Sequence, residues 1–396
     1  MKRMRKILAA LLICVMTVSI TACRNGSVET ENTGSSEYRV CMITDAGDIT
    51  DQSFNQTTYE ACRAYCEEHD IDFTYKKPDG DTDYARIAMV DVAVAEGYNV
   101  LVMPGYVFAA TLNEVTFKYP DIKFISLDMS AGDIIAAAVG NDYYANPDAY
   151  KVEDYYNTKN TYCAIYQEAV PGYLAGYTAV QLGYHKLGFL GGQAVPAVMR
   201  FGYGYLQGIN DAAKELGVTK DVSVQYAYGG QFYGSTEITA AMDTWYNNGT
   251  EIVFACGGGI FTSAAEAAAK TGGKMIGVDS DQSVTIDAYG EGMTVTSAMK
   301  SLTATVNTML DSIIYDGTWK EHVGNIENLG LVSGTDMELN YVGLPEESTQ
   351  WNDSFGVEDY HELVNHIFSG EIKINSSIDQ MPKLEIEVHE RQGTIM

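Results

Sequence analysis

Three aspartates each follow a short apolar run that has the character of a buried strand. They are Asp45 after residues 40–44, Asp128 after residues 124–127 and Asp279 after residues 275–278. Carboxylates accept hydrogen bonds from ligand N–H and O–H groups, and open α/β sheets bind ligands at the carboxyl ends of their parallel strands. One such aspartate is more often the cap of a following helix or turn. Three of them together predict a shared ligand-binding cleft.

Three consecutive glycines, Gly257, Gly258 and Gly259, follow another apolar run. They would let backbone amides approach a bound group closely, although a tight turn between a strand and a helix explains them equally well. The run lacks the GxGxxG spacing of dinucleotide sites, and no GxxxxGK[ST] loop occurs in the chain. We therefore predict no cofactor.

The sequence does not indicate a metal or redox site. Asp45, Asp48 and Asp51 lack the dense spacing of metal-binding acids, and no histidine is close in sequence to a proposed site residue. Beyond residue 23 the cysteines form no CxxC pair, and we expect buried free thiols. These cysteines are Cys41, Cys62, Cys66, Cys163 and Cys256.

Short apolar runs alternate along the chain with segments that carry apolar residues at helical spacing. The predicted strands cover residues 40–44, 100–103, 124–127, 162–166, 187–190, 252–255 and 275–278. The predicted helices cover residues 55–69, 83–96, 173–182, 200–216, 237–246, 263–270 and 301–315. This alternation predicts an α/β protein with doubly wound parallel sheets, and the chain length suits two domains.

The N-terminal segment predicts export and lipid attachment. Basic residues 1–6 precede an apolar run, and residues 20–23 (ITAC) form a lipobox that ends at Cys23. The apolar run is short for a membrane span, so an uncleaved anchor is the weaker interpretation. We predict a signal peptide over 1–22, a palmitate-bearing lipid on Cys23, a flexible tether up to residue 37 and a position on the extracytoplasmic face of the cell membrane.

The chain is strongly acidic. Its 53 acidic and 25 basic residues give a formal charge of −28, and removal of the four basic residues of the leader brings this charge near −32. Such a field repels phosphate backbones and anionic lipids. We therefore expect no nucleic-acid partner, and membrane contact only through the lipid on Cys23.

Several motifs resemble those of one known family. Residues 44–56 (TDAGDITDQSFNQ) resemble the TD-x-G-(x3)-D-x-SFNQ signature of the basic membrane protein family of lipoproteins, whose purine nucleoside receptors feed ABC importers. Further similar segments are residues 103–106 (MPGY), 119–128, 173–177 (YLAGY), 276–282 (IGVDSDQ), 296–300 (TSAMK) and 367–372 (IFSGEI). The resemblance covers nearly all of the chain after the tether.

The resemblance implies a type I periplasmic-binding-protein fold, in which two doubly wound α/β lobes are joined by a hinge and close on a ligand in the cleft between them. We predict an N-terminal lobe from residues 38–160 and about 285–325, and a C-terminal lobe from residues 161–284 and about 326–396. The implied protein is a monomeric ABC transporter substrate-binding protein and not an enzyme. It would bind a purine nucleoside and present it to permease and ATPase subunits.

The resemblance also implies individual ligand contacts. They are Phe54 and Phe232 on the two faces of the base, Asp45 and Asp128 at the base edge, and Gly258, Asp279 and Lys300 at the ribose. Stacking on an aromatic ring is worth about 1–3 kcal/mol per base. A buried carboxylate left unpaired disfavours a pyrimidine or a sugar alone.

Other interpretations of these residues stay open. Phe54 alone fits a core aromatic beside a helix start, and Lys300 alone fits a solvated surface lysine. Asn55 either contacts the ligand or caps the following helix, and capping is slightly favoured. Phe232 lies in a segment that follows the family pattern loosely, so Tyr228 and Tyr233 are alternatives for the second stacking ring.

Two segments have no readable role. Residues 141–160 form a tyrosine-rich, acidic insertion that would extend the hinge, cover the cleft or offer a partner surface. Residues 341–355 lack a regular pattern and fit a long surface loop.

Other functions compete with the nucleoside receptor. A receptor for a sugar or another small polar solute would keep the fold, since this fold serves many ligands. A nucleoside hydrolase would need a general acid or a metal at the glycosidic bond, and a surface adhesin is a third possibility. Aromatic rings combined with base-edge carboxylates favour the nucleoside, without distinguishing guanosine, inosine and adenosine.

Overall fold

The computed structural model describes residues 37–45 and 47–395. The predicted signal peptide, the lipidation site at Cys23 and the tether as far as residue 36 lie outside the described residues. Within the described part of the chain, no helix is long and apolar enough to cross a membrane.

The described residues form thirteen strands in two sheets. In chain order the strands are β1 Arg39–Ile43, β2 Asp72–Lys76, β3 Val100–Pro104, β4 Lys123–Leu127, β5 Thr161–Tyr166, β6 Lys186–Gly191, β7 Ser223–Tyr228, β8 Ile252–Cys256, β9 Lys274–Asp279, β10 Thr294–Lys300, β11 Ile326–Leu329, β12 Val342–Gly343 and β13 Glu387–Thr394. The first sheet has the order β11-β5-β4-β3-β1-β2, and the second has the order β12-β10-β9-β8-β6-β7-β13. All pairings are parallel except that of β12 with β10.

Helices cover the sheets. In chain order they are α1 Phe54–Glu68, α2 Asp83–Ala95, α3 Ala109–Lys118, α4 Ala131–Val139, α5 Asp142–Ala145, α6 Ala169–Gln181, α7 Pro196–Leu216, α8 Thr236–Asn247, α9 Phe261–Thr271, α10 Ser283–Asp287, α11 Leu302–Ile314, α12 Trp319–His322 and α13 Val357–Phe368. All the strands and helices predicted from the sequence are present, with bounds shifted by a few residues. The prediction of an α/β fold with parallel sheets is confirmed.

Local sequence explains where several helices begin and end. Thr82 caps α2 by accepting a backbone hydrogen bond from its first turn, and Ser130 and Asp133 form a capping box at α4. Helices α7 and α9 end at Gly217 and Gly272, where φ is 72° and 74°. Glycine adopts this left-handed conformation without the strain that a Cβ would add.

Within residues 47–395 the chain passes between the two lobes three times. It leaves the first sheet after β5 for α6, returns after β10 to α11, which packs against α1, and crosses again after β11 to reach β12. The predicted lobe boundaries differ from this arrangement, since β5 and β11 pair in the first sheet and β10 pairs in the second. The prediction placed the lobe boundary at the end of the insertion over 141–160. In the structure the chain instead passes to the other lobe after the carboxyl ends of β5, β10 and β11.

Helices α6 and α7 lie parallel and in very close contact. A Cβ added at any of four glycines would lie 2.0–2.2 Å from a backbone oxygen of the other helix. The contacts are Gly172 with Phe201, Gly176 with Tyr205, Gly204 with Ala169 and Gly208 with Tyr173. Glycine at these positions therefore permits backbone contact that no other residue would allow.

The two segments without a predicted role both pack on the fold. Residues 141–160 form α5 and two 3₁₀ turns, and the buried Tyr156 donates a hydrogen bond of 2.7 Å to Gly324 O beside β11. Residues 341–355 are not simply a surface loop, because they contain β12 and bury Leu344 and Phe355. Their apolar residues are irregularly spaced, which is why no element was predicted there.

The five cysteines of the described chain are buried and free, as predicted. Burial raises the pKa of each thiol that faces the interior, as at Cys41, where it is about 12. These thiols are protonated at neutral pH and behave as small apolar side chains.

Candidate functional site

The carboxyl edges of both sheets bring one lysine into contact with acids from both lobes. Lys300 Nζ, at the end of β10, lies 2.7 Å from Asp128 Oδ2, 3.4 Å from Asp279 Oδ1 and 4.0 Å from Glu168 Oε1. Asp128 follows β4 in the first lobe, whereas Asp279 ends β9 in the second. We call Lys300, Asp128, Asp279 and Glu168 the lysine cluster.

Lys300 is 5% exposed, so the interpretation of a solvated surface lysine is wrong. Burial lowers the pKa of its ammonium group, but Asp128, Asp279 and Glu168 together raise it above the ordinary value. The opposite charges outweigh desolvation, and Lys300 keeps its proton at neutral pH.

Three aromatic rings surround the same ammonium group. The distances from Lys300 Nζ to the ring centroids are 4.7 Å for Phe54, 5.4 Å for Tyr166 and 5.6 Å for Phe201. Phe54 begins α1 of the first lobe, while Phe201 belongs to α7 of the second. The rings add cation–π attraction and limit the access of water to the cluster.

Glu168 forms a second ion pair behind Lys300. Its carboxylate is fully buried, and Oε2 accepts a hydrogen bond of 2.5 Å from Arg200 Nε. Burial raises the pKa of Glu168, while Arg200 and Lys300 act in the opposite direction. Glu168 Oε1 and Asp128 Oδ1 are both buried and have no hydrogen-bond partner among the described residues. Two acceptor oxygens beside Lys300 are thus open to further donors.

Two side-chain hydrogen bonds span the lobes next to this cluster. Ser53 Oγ donates to Asp279 Oδ2 over 2.6 Å, and Gln282 Nε2 donates to Gln52 O over 2.8 Å. We call these two bonds the interlobe clasp. Gln52, Asp128 and Asp279 have positive φ values of 55°, 55° and 67°. Non-glycine residues seldom adopt this strained backbone conformation. All three of these residues make hydrogen bonds between the lobes.

Asp45 and Asn55 form a second polar group in the first lobe. Asp45 Oδ1 accepts hydrogen bonds from Gly47 N at 2.6 Å and from Asn55 Nδ2 at 3.0 Å. Asn55 Nδ2 also donates to Asp51 Oδ2, and Asn55 Oδ1 is buried without a partner among the described residues. Burial raises the pKa of Asp45. The hydrogen bonds from Gly47 and Asn55 lower this pKa, but by less than burial raises it.

Asp51, and not Asn55, caps helix α1. Its carboxylate accepts hydrogen bonds from the backbone N–H groups of Ser53, Asn55 and Gln56. The favoured prediction that Asn55 caps this helix is therefore wrong. The Asn55 side chain is directed to Asp45 because the helix begins one residue earlier than predicted, at Phe54.

Phe232 packs against glycines at the carboxyl edge of the second sheet. A Cβ added at Gly192 would lie 2.5 Å from its ring, one at Gly257 would lie 3.0 Å from it, and one at Gly258 would lie 2.9 Å from its backbone oxygen. Of the two alternatives, Tyr233 is 65% exposed and Tyr228 bonds to the hydroxyl of Tyr226. The Phe232 ring thus lies against Gly192 and Gly257, and the backbone oxygen of Phe232 lies beside Gly258.

The structure therefore groups the predicted residues in three places. Phe54, Asp128, Asp279 and Lys300 meet in one cluster that spans the lobes, Asp45 and Asn55 pair beside it on the first lobe, and Phe232 and Gly258 pack together on the second. Sequence reasoning missed Glu168 and Arg200. Glu168 follows β5 by two residues, so the strand-end argument applied to the other acids would have found it. No sequence signal identified Arg200, whose role depends on helix packing.

The described residues contain no group of histidine, cysteine or acidic side chains that could hold a metal ion. The three acids of the lysine cluster instead have two cationic partners, Lys300 and Arg200. What the site offers is hydrogen-bond acceptors, one ammonium group and aromatic surface. This combination suits a small polar ligand with a flat apolar face.

Comparison with protein families gives one match over most of the chain. The family model described as ABC transporter substrate-binding protein PnrA-like (Bmp) matches residues 38–377. An uncharacterized lipoprotein of Pyrococcus abyssi is 27% identical over 340 residues, which are 83% of this chain and 76% of that protein. The ABC transporter nucleoside-binding protein BmpA of Lactococcus lactis is 24% identical over 293 residues, covering 70% of this chain and 74% of its own.

Solved structures support the same fold. An ABC transporter solute-binding protein of Aeropyrum pernix superposes with a TM-score of 0.63 at 21% identity and covers 86% of this chain and 94% of its own. A second one, from Conexibacter woesei, has a TM-score of 0.61 at 19% identity and covers 86% and 99%. The two-lobed architecture is therefore that of ABC solute-binding proteins.

Proposed function

This chain belongs to the PnrA-like family of ABC transporter substrate-binding proteins, and on that basis we propose that it captures a purine nucleoside between its two lobes. One observation carries the proposal. Phe54, Asp128 and Lys300 meet at the boundary between the lobes, so that an aromatic face, an acceptor and a cation from both sides converge. A ligand with a flat base and ribose hydroxyls uses all three.

In this proposal the base lies between Phe54 and Phe232. Asp45 and Asp128 accept hydrogen bonds from N–H groups at the base edge, and Asn55 orients Asp45. Asp128 Oδ1, which lacks a partner among the described residues, is the oxygen best suited to this role.

The ribose is assigned to the second lobe. The backbone of Gly258, whose φ is 52°, contacts the ribose, and the Asp279 and Lys300 side chains form hydrogen bonds with the ribose hydroxyls. Each of the two side chains already has a polar partner, so ribose binding rearranges hydrogen bonds rather than creating all of them.

The experiment is calorimetric titration of the chain from Tyr38 onward with inosine, guanosine, adenosine, cytidine and ribose. We expect sub-micromolar purine nucleoside binding, and no free base in the spent sample. Phe54→Ala and Phe232→Ala should each weaken binding by about 1–3 kcal/mol through lost stacking, and Asp128→Ala should weaken it at least as much.

Tyr233→Ala is the matched aromatic control, because this exposed ring lies next to Phe232 in the chain, and it should bind as the unaltered protein does. Binding of ribose alone would contradict the nucleoside assignment. Release of free base would contradict a receptor that does no chemistry.

We further propose that a lipid on Cys23 anchors the protein to the extracytoplasmic face of the membrane, where it serves permease and ATPase subunits as a monomer. The lipobox and the lipoprotein names of relatives support this proposal. Labelled palmitate should be incorporated by expressing cells into the full chain and not into Cys23→Ala. Equal incorporation into both would contradict the anchor.

A further inference from the structure

We propose that Glu168 and Arg200 are positioning residues that hold Lys300 in place for the ligand, an inference that rests on the proposed nucleoside function. Neither residue was among the predicted ligand contacts. Glu168 Oε1 lies 4.0 Å from Lys300 Nζ, and Glu168 Oε2 is held by Arg200. Glu168 therefore links Arg200 to Lys300.

The burial of this pair points to a specific role. The Glu168 side chain is 0% exposed and that of Arg200 is 18% exposed. A buried ion pair is weak evidence for stability, because desolvation offsets most of its attraction. The presence of this pair next to the lysine proposed to bind the ligand is explained if the negative charge of Glu168 acts on that lysine.

The charges of the site show how this works. Lys300 lies between Asp128 of the first lobe and Asp279 of the second, and its shortest contact is the 2.7 Å bond to Asp128 Oδ2. Glu168 is a further anion 4.0 Å from the ammonium group and competes with Asp128 for it. Without this competition Lys300 would neutralise Asp128 more completely, and Asp128 would be a poorer acceptor for the base edge.

The packing of α6 against α7 fixes the pair. Glu168 immediately precedes α6, and Arg200 lies in the second turn of α7. Gly204, one turn after Arg200, allows its helix to touch the backbone oxygen of Ala169. This close contact between parallel helices holds the guanidinium against the carboxylate.

A double-mutant cycle on nucleoside affinity tests the inference. Glu168→Gln keeps the shape of the side chain and should weaken guanosine or inosine binding about tenfold or more in the otherwise unaltered protein. In a Lys300→Met background the same change should have little further effect, because it acts through Lys300. Equal losses in both backgrounds would show an independent structural role and would overturn the inference.

Two further variants define the controls. Arg200→Lys keeps the positive charge and should retain more affinity than Arg200→Met. Glu327→Gln is the matched Glu-to-Gln change, at a residue that accepts a hydrogen bond from Tyr162 in the first sheet, and should leave affinity unchanged. Thermal unfolding of every variant shows whether it is folded.

A ligand-free measurement separates this inference from the proposed function. Amine-reactive reagents attack the neutral amine, so the labelling rate of Lys300, quantified by mass spectrometry, reports how strongly the surrounding acids together keep it protonated. Glu168→Gln should raise the labelling rate of Lys300 severalfold, and Glu327→Gln should not. Changed labelling in a protein that binds no nucleoside would refute the proposed function and keep the positioning role. Unchanged Lys300 labelling in Glu168→Gln would overturn that role.

Discussion

Asp45 is a carboxylate whose burial works against its ionisation. Burial raises its pKa above the ordinary value, although Gly47 N and Asn55 Nδ2 donate hydrogen bonds to it. The folded protein therefore holds the Asp45 proton more tightly than the unfolded chain does. The stability contributed by this group is present at low pH and is lost as pH rises through the raised pKa.

At the residue scale, Asp45→Asn is expected to change stability and affinity in opposite directions. The neutral side chain avoids desolvation of a charge, so the melting temperature at neutral pH should rise, and the difference from the unaltered protein should shrink as pH falls. Nucleoside affinity should drop, because the amide is a weaker acceptor than the carboxylate.

Calorimetric unfolding across a pH series, together with titration at neutral pH, measures both effects. Asp243→Asn removes an acid that forms an exposed ion pair with Lys270 and is the control. A lower melting temperature for Asp45→Asn at neutral pH would contradict the prediction.

Sequence reasoning at this scale identified residue types well and contacts poorly. The three strand-end aspartates do lie at the carboxyl edges of the sheets, as predicted. That Lys300 is buried against Asp128, 172 residues earlier in the chain, follows only from the fold. The cap of α1 was assigned to Asn55 and belongs to Asp51, because a one-residue shift of the helix start changes which side chain reaches its free N–H groups.

At the scale of elements, the parallel pair α6 and α7 depends on glycine. Gly204→Ala would place a Cβ 2.1 Å from Ala169 O, so the helices would have to move apart. We expect a loss of about 1–3 kcal/mol in the free energy of unfolding, as is typical of overpacked cores. Ligand affinity should also fall, because the helices carry Glu168 and Arg200.

Denaturant unfolding measures the loss, and Gly80→Ala is the control. Gly80 has open space around its Cβ position, so this change should alter stability by less than about 0.5 kcal/mol. Equal stability of Gly204→Ala and Gly80→Ala would show that the helix contact is not tight.

The strands and helices with strong periodicity were predictable from the chain. Six strands were not predicted, because their apolar residues are few, irregular or interrupted by polar residues: β2, β7, β10, β11, β12 and β13. The crossing points of the chain also depend on pairing, which explains why β5 was assigned to the wrong lobe.

At the scale of the whole molecule, the interlobe clasp connects lobe contact with ligand binding. Gln282→Glu keeps the acceptor for Val278 N but loses the N–H donor to Gln52 O across the cleft. The variant should bind nucleoside more weakly and compact less on binding, since one interlobe bond is worth about 0.5–1.5 kcal/mol.

Small-angle scattering with and without saturating inosine measures compaction through the radius of gyration. Gln350→Glu is the matched control, because the Gln350 side chain donates to Gly292 O and Thr294 O, which both belong to the second lobe. Full compaction and unaltered affinity in Gln282→Glu would argue against a role for the clasp in closure.

The sequence by itself determined the α/β class, most of the helices and strands, the buried free cysteines and the family, because these depend on local periodicity, composition and motifs. Tertiary structure alone decided that Lys300 is shared between acids of both lobes, that Glu168 and Arg200 form an ion pair next to it, and that the Phe232 ring packs against Gly192 and Gly257. These contacts form where strands that are far apart in the sequence end at the same edge of a sheet. Only folding brings charges and rings from such distances within a few ångströms, where burial makes their interactions strong.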